Sequence, residues 1–305
     1  MEDTNKKIFF QKVAIIGLGL LGSSIAKGIK KKRIANEIIG YAKTSETRKI
    51  AKELGYIDRV ESSAKSAVLD ADFVILCAPV GSNSDIIKTI KRNLKRGSII
   101  TDVGSVKGSV IDDIDKHLPK EVIFIPAHPI AGTEFSGPES GFAELFENKC
   151  CLLTPYQEIN KIELNKVICF WEALGMFVEI MTPEQHDLIL AIISHIPHLV
   201  AYNIVNTASE LEKDTKTEIT KFAGGGFLDY TRIASSDPVM WRDIFLNNRE
   251  AVIEMLDKYI DGLTDLRKDI SSKRGDKLEK LFKDTREKRN SILRSIENMH
   301  SKHKV

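Results

Sequence analysis

Three short segments carry the side chains best suited to chemistry. They are Thr101-Asp102-Val-Gly104-Ser105-Val-Lys107, Pro126-Ala-His128-Pro-Ile-Ala-Gly132-Thr133-Glu134 and Gly224-Gly-Gly-Phe-Leu-Asp229-Tyr-Thr231-Arg232. An imidazole can take up a hydroxyl proton near neutral pH as hydride leaves the same carbon, which makes His128 the leading general base. A lone histidine is also a common structural residue; position beside a cofactor loop favours the base. Ser105 can orient the same hydroxyl, or N-cap a helix starting near Val106. Arg232, next to a glycine turn at Ala223–Tyr230, offers a planar fork to a carboxylate, or an ordinary surface ion pair. In Ser194-His195-Ile-Pro197-His198 the histidines are spaced for one helix face, which also fits a metal pair. No acidic partner completes a ligand set, so no metal is expected.

These groups gain meaning from Val13-Ala-Ile-Ile-Gly17-Leu-Gly19-Leu20-Leu21-Gly22. This is GxGxxG directly after an apolar strand and before a helical segment running to about Lys31. Gly17 permits the tight turn, Gly19 lets backbone approach a pyrophosphate, and Gly22 allows close helix packing. A helix N-terminus then offers unpaired N–H groups to the anion. Pro79, just past the later strand Phe73–Ala78, joins the candidate cofactor contacts. An acidic residue usually ends the second strand of an NAD-selective site; here Ala42 stands there, followed by Lys43, Thr44 and Arg48. Those donors and charges suit a 2′-phosphate, and equally suit a solvated surface. Both NAD and NADP stay open.

The elements that must position these groups follow from periodicity. Val13–Ile16, Ile38–Tyr41, Phe73–Ala78, Ser98–Val103 and Val122–Pro126 read as strands, with helical stretches between the early ones; this predicts βαβ units and a parallel sheet. Further strands at Lys149–Thr154 and Phe177–Ile180 flank a helix over Ile162–Leu174. From Pro183 onward apolar residues recur at helical spacing, as in Leu188, Ile192, Ile196 and Leu199, then Ile253, Leu256, Ile260 and Leu263. The expected architecture is α/β: a Rossmann-like dinucleotide-binding domain, 1–181, followed by an all-helical domain, 182–305.

Composition bounds the rest. Forty-five Lys plus Arg against forty-three Asp plus Glu leave a net charge of +2, too balanced for a global nucleic-acid or membrane field. Residues 271–305 hold eleven Lys or Arg and five acids, but Leu278, Leu281, Phe282, Ile292, Leu293 and Ile296 form much of a helical stripe. A packing helix with a solvated basic face is expected, and no nucleic-acid partner. Cys77, Cys150, Cys151 and Cys169 show no CxxC spacing, which fits a reduced cytoplasm. Met1–Lys7 reads as neither signal nor transit peptide, and the apolar runs are short or glycine-interrupted, so no membrane span is expected.

The assembled motifs resemble the prephenate dehydrogenase family, from about Lys12 to the C-terminal helix. Besides the segments above, the resemblance rests on His186-Asp187, Ser194-to-His198 and Trp241 downstream of Arg232. It implies oxidative decarboxylation of prephenate to 4-hydroxyphenylpyruvate, or of arogenate to tyrosine, with hydride transfer to NAD or NADP. It further implies that His128 accepts the ring-hydroxyl hydrogen bond and that Ser105 assists. Arg232 would bind a substrate carboxylate, with His198, Thr133, Glu134 and Trp241 around the pocket, in a homodimer of intertwined helical halves. Ala42 departs from the NAD-preferring pattern, and no appended mutase or regulatory domain is expected after the helical tail. Two alternatives remain: a β-hydroxyacid or pyrroline carboxylate type of dehydrogenase, against which the His128 and Arg232 segments argue, and a non-catalytic dinucleotide-binding redox sensor.

Overall fold

The computed structural model describes residues 9–302; Met1–Lys7, with the expectation attached to it, and residues 303–305 of the basic tail lie outside them. In the first half, β1 (Phe10–Ile16), α1 (Leu20–Lys32), β2 (Ala35–Tyr41), α2 (Ser45–Glu53), β3 (Arg59–Val60), α3 (Ala64–Ala67), β4 (Phe73–Leu76), α4 (Asn83–Ile90), β5 (Ile99–Asp102), α5 (Gly108–Asp115) and β6 (Ile123–Phe124) follow one another. The six strands form a parallel sheet in the order β3-β2-β1-β4-β5-β6. This is the doubly wound order, with its switch point between β1 and β4. Both faces of the sheet are covered, which explains why its strands are apolar throughout rather than alternating. Along β1, Val13 and Ile15 enter one core and Ala14 and Ile16 the other. Phe10 stacks on Phe73 at 4.3 Å between centroids, and Phe170 packs edge-on against both.

The structure corrects the single-sheet expectation. A second sheet is built from β7 (Ala127–Pro129), β8 (Cys150–Leu153) and, after α6 (Lys161–Ala173), β9 (Phe177–Ile180). β7 runs antiparallel to β8, pairing His128 with Leu152, and β8 runs parallel to β9. The chain leaves the large sheet at Pro126, which has no N–H to continue the ladder; its carbonyl instead accepts from Thr154 N at 3.0 Å. His128 is therefore a strand residue, not part of a loop beyond a strand.

From residue 183 the described chain is helical: α7 (Pro183–Leu190), α8 (Ile196–Thr215), α9 (Gly225–Thr231), α10 (Pro238–Asn247), α11 (Arg249–Ser271) and α12 (Gly275–Lys302). A capping box opens α7, with Thr182 accepting from Gln185 N and Gln185 reaching back to Thr182 N. Between α7 and α8, Ala191–His195 forms one wide π turn in which Ile196 N bonds Ala191 O. Pro197 sits at the start of α8, where its ring and missing N–H disfavour a regular turn. The expected glycine turn at Ala223–Tyr230 is helical from Gly225.

Two compact units result, residues 1–249 and 250–305. The first holds both sheets and the helices through α10. In the second, α11 and α12 share a cavity lined by Leu263, Leu266, Arg267, Ile270, Ser271 and Phe282. The stripe read as a packing face is open in the single chain, with Phe282 59% exposed. The continuous helical run Pro183–Thr215 meets the length and hydropathy needed to cross a membrane, which the short-run reading of the sequence missed. That run also carries His186, Asp187, His195 and His198.

Candidate active site

The GxGxxG turn has the shape a pyrophosphate needs. Gly17 adopts φ +108°, and a Cβ there would stand 2.6 Å from the Cys77 carbonyl. Glycine alone tolerates both the left-handed backbone and that approach. A Cβ on Gly22 would meet Gly17 O at 1.9 Å, whereas nothing lies within 4 Å of one on Gly19. The open side at Gly19 is where a ligand can reach the backbone. Gly19 is the N-cap of α1 and gives it no side-chain cap, and the first turn holds no acid; the first N–H groups of a helix lack intrahelical partners and suit an anion. Leu20 and Leu21 are half-buried in this turn, while Pro79 is exposed just past β4.

At the end of β2, Arg48 folds back so that Nη1 donates to Ala42 O at 2.6 Å and Lys43 O at 3.0 Å, with its guanidinium over the Tyr41 ring. Lys43 is exposed. The Thr44 hydroxyl is occupied as the cap of α2, accepting from Thr47 N and donating to Thr47 Oγ1.

Hydrogen bonds stitch the strand ends together around the switch point. Cys77 N reaches Ile16 O and Val103 N reaches Leu76 O. Asp102, at the end of β5, accepts from Gly104 N and Ala127 N, which carries the stitching to the residue before His128. The Lys107 ammonium, fully buried, donates to Asp102 Oδ2 at 2.5 Å and Ala127 O at 2.7 Å. A charge at that depth survives only because every partner is in place.

His128 is buried and its Nδ1 lies 2.8 Å from His186 Nε2. His186 Nδ1 in turn lies 2.8 Å from Asp187 Oδ1. The Asp187 carboxylate also accepts from Lys107 N and Gly108 N, both at 2.8 Å. It thereby caps α5, which begins at Gly108 and not near Val106, so Ser105 is free of the capping role. Burial pushes the His128 pKa well below the ordinary histidine value, and the nearby His186, Lys107 and His195 push the same way. The imidazole is therefore neutral and ready to accept a proton. His195, fully buried, is lowered to about 4 by burial against the opposing pull of Asp187. The Asn248 amide donates to Asp187 O at 2.9 Å and faces His195 Nδ1 at 3.2 Å.

His198 Nδ1 donates to Ser194 O at 2.9 Å, and its ring stacks on Trp241 at 3.7 Å. Burial lowers its pKa, the Ser194 carbonyl opposes this, and the charge of Arg232 lowers it further. Trp241 itself is buried beside Val106, Ile244, Tyr202 and Phe245, so within this chain it supports the His198 ring. Arg232 is exposed and stands 3.7 Å from Glu134. Thr133, also exposed, accepts weakly from Phe135 N. Ser105 lies half-buried between β5 and α5. Among the described residues, no group of three or more His, Cys, Asp or Glu side chains is placed to hold a metal.

Residues 25–180 match the nucleotide-binding domain of prephenate dehydrogenases, and residues 182–284 match their dimerization domain. The chain belongs to the prephenate dehydrogenase family. It is 39% identical to cyclohexadienyl dehydrogenase of Zymomonas mobilis, over 92% of this chain and 95% of that one. With prephenate dehydrogenase of Bacillus subtilis it shares 34% identity, covering 92% and 76% of the two chains. The crystal structure of prephenate dehydrogenase from A. aeolicus, in complex with hydroxyphenyl propionate and NAD+, superposes with a TM-score of 0.86 at 38% identity, covering 92% of this chain and 98% of that one. The chain is thus an oxidoreductase with a Rossmann-like nucleotide-binding half and a dimerization segment.

Residue types alone missed several of the site's supports. His186 and Asp187 carried no role in the sequence reading, and Lys107 and Asp102 appeared only as motif members. An Asp and a Lys five positions apart at the end of a buried strand is the signal that marks such a pair. His195, weighed as half of a metal pair, is instead a buried neighbour of Asn248 and Trp241.

Proposed function

We propose that this enzyme oxidatively decarboxylates prephenate to 4-hydroxyphenylpyruvate in tyrosine biosynthesis. The observation that carries the reading is the buried His128, whose Nδ1 meets His186 and whose neighbour Ala127 is tied by its N–H to Asp102 at the end of β5, beside the dinucleotide turn. When bound, the nicotinamide supplies the hydride acceptor. His128 takes the proton of the ring hydroxyl as hydride leaves the carbon that bears it. The bond to the quaternary carboxylate then breaks, carbon dioxide departs, and its electron pair completes the aromatic ring. The same imidazole can return the proton to the phenolic oxygen, so no net proton is needed. Ser105 orients the hydroxyl, Arg232 holds the side-chain carboxylate, and His198, Thr133, Glu134 and Trp241 shape the pocket. Holding the reacting groups in line is most of what the protein must do, because aromatisation makes the step downhill.

The functional division in this reading is a dinucleotide-binding part, 1–181, and a substrate-binding and dimerisation part, 182–305. The half-exposed apolar side chains of α7, the π turn after it, α8 and α11, among them Leu188, Ile192, Ile204, Ile253 and Ile260, suit a homodimer as their cover. Four free thiols suit the cytoplasm. Parallel steady-state assays with prephenate and arogenate, each with NAD and NADP, test the substrate; turnover of neither, despite cofactor binding, would leave the redox-sensor alternative.

Arg232→Ala is expected to raise the KM for the substrate about tenfold or more while kcat changes little, since a charge-assisted clamp holds ground and transition states alike. An unchanged KM would show that Arg232 serves only its pairing with Glu134. For the cofactor, the exposed Lys43 and the Arg48 guanidinium held at the end of β2 favour measurable use of NADP beside NAD. Ala42→Asp should shift the ratio of specificity constants toward NAD by on the order of tenfold, about 1.4 kcal/mol. Rejection of NADP by several orders of magnitude in the wild type would sink this expectation.

A further inference from the structure

We infer that Asp187 is a positioning residue for His128: acting through His186, it decides which ring nitrogen of His128 carries the proton. The inference rests on His128 being the base. A carboxylate can only accept hydrogen bonds, so the 2.8 Å contact between Asp187 Oδ1 and His186 Nδ1 requires the proton on that nitrogen. His186 is fully buried, and burial favours its neutral form despite the carboxylate beside it. A neutral imidazole protonated on Nδ1 presents a lone pair at Nε2. The 2.8 Å contact from that Nε2 to His128 Nδ1 then requires the His128 proton on Nδ1. The Nε2 of a neutral His128 is left as the lone pair that can receive a substrate proton. The direction of the whole chain is set at the one end that cannot donate.

The placement of Asp187 suits this role. Burial alone would raise its carboxyl, but hydrogen bonds from His186, Gly108 and Lys107 outweigh burial and hold it below the usual carboxylate range. The two backbone donors belong to the start of α5, immediately after the segment that bears Ser105. One side chain thus locks α5, α7 and, through His186, strand β7. A helix cap alone would need only an acceptor of any kind, and a neutral asparagine or serine would serve. Fixing the tautomer two rings away needs a side chain that accepts and cannot donate, which a carboxylate is and an asparagine amide or serine hydroxyl is not. The orienting carboxylate of serine-protease triads acts on a histidine in the same way, with one ring instead of two.

The test is nitrogen-15 NMR of the histidine side chains in the full-length protein, with His128 assigned by the signals lost in His128→Asn. The wild type should show neutral His128 protonated on Nδ1. Protonation on Nε2 overturns the inference, and this measurement does not depend on any Asp187 variant folding. Asp187→Ala should then lower kcat by on the order of a hundredfold, the scale of a mispositioned base. The KM and the affinity for the dinucleotide should stay within about threefold, and the His128 Nδ1–H preference should be lost. In the His128→Asn background the same substitution should cost less than about threefold, because residues acting as one unit are not additive. A variant that merely melts earlier, with kcat intact below its melting range, would reduce Asp187 to a cap and overturn the inference. Normal turnover by His128→Asn alone would remove the base and this inference together, whereas a large loss there with the wrong wild-type tautomer overturns only the inference.

Discussion

Replacing His128 with asparagine is expected to lower kcat by roughly a hundredfold or more while dinucleotide affinity stays near that of the wild type. Asparagine matches the polarity and much of the size of the imidazole, so the β7–β8 pairing is expected to persist. What it cannot do is take up a proton. Near-normal turnover would remove His128 from the role of base. The pH dependence sharpens the test. Burial, reinforced by His186, Lys107 and His195, holds the folded-state pKa of His128 well below the ordinary histidine value. A base works deprotonated, so its activity is kept as pH falls through the ordinary histidine range and is lost only on further acidification. The variant should lose that acid limb along with its rate. An acid limb at the ordinary histidine value in the wild type would place the titrating group elsewhere.

Lys107→Met should destabilise the fold by about 3–5 kcal/mol, the scale for removing one partner of a buried pair. Lys107 and Asp102 are both essentially inaccessible to water. Methionine fills most of the space of the lysine stem, so lost packing is a minor part of the effect. The cost comes from Asp102, left as a buried carboxylate with only backbone donors, and from the orphaned carbonyl of Ala127. Denaturant unfolding gives the measurement, and an unchanged midpoint would show that Asp102 readjusts to a neutral or solvated state. The Asp102→Asn, Lys107→Met double variant should recover part of the loss, since the unpaired charge is then gone.

Much of the first half was legible because its signals are local. A glycine at φ +108° against a neighbouring strand, an apolar run covered on both faces and an uncapped helix start each leave a mark within a few residues, as in Gly17, Val13–Ile16 and Gly19. The candidate base was also within reach, because His128 follows an apolar strand run. Its exact setting was not. Whether Val122–Pro126 continues past Pro126 into the same sheet or turns into another depends on which edge is available for pairing, and the pairing partner Cys150–Leu153 lies more than twenty residues away.

Composition, periodicity and turn chemistry were enough to establish a dinucleotide fold, a helical second half and the residue types available for proton and carboxylate handling. They act through backbone preferences and short-range spacing, which every residue carries with it. The working site was decided by contacts across long separations: Asp187 reaching Lys107 and Gly108, His186 reaching His128, Asn248 reaching His195, and Trp241 lying under His198. Residues that far apart impose no pattern on one another in the chain. Only folding brings an acceptor from one helix to the open N-terminus of another, and only burial then makes such a meeting strong enough to fix a proton.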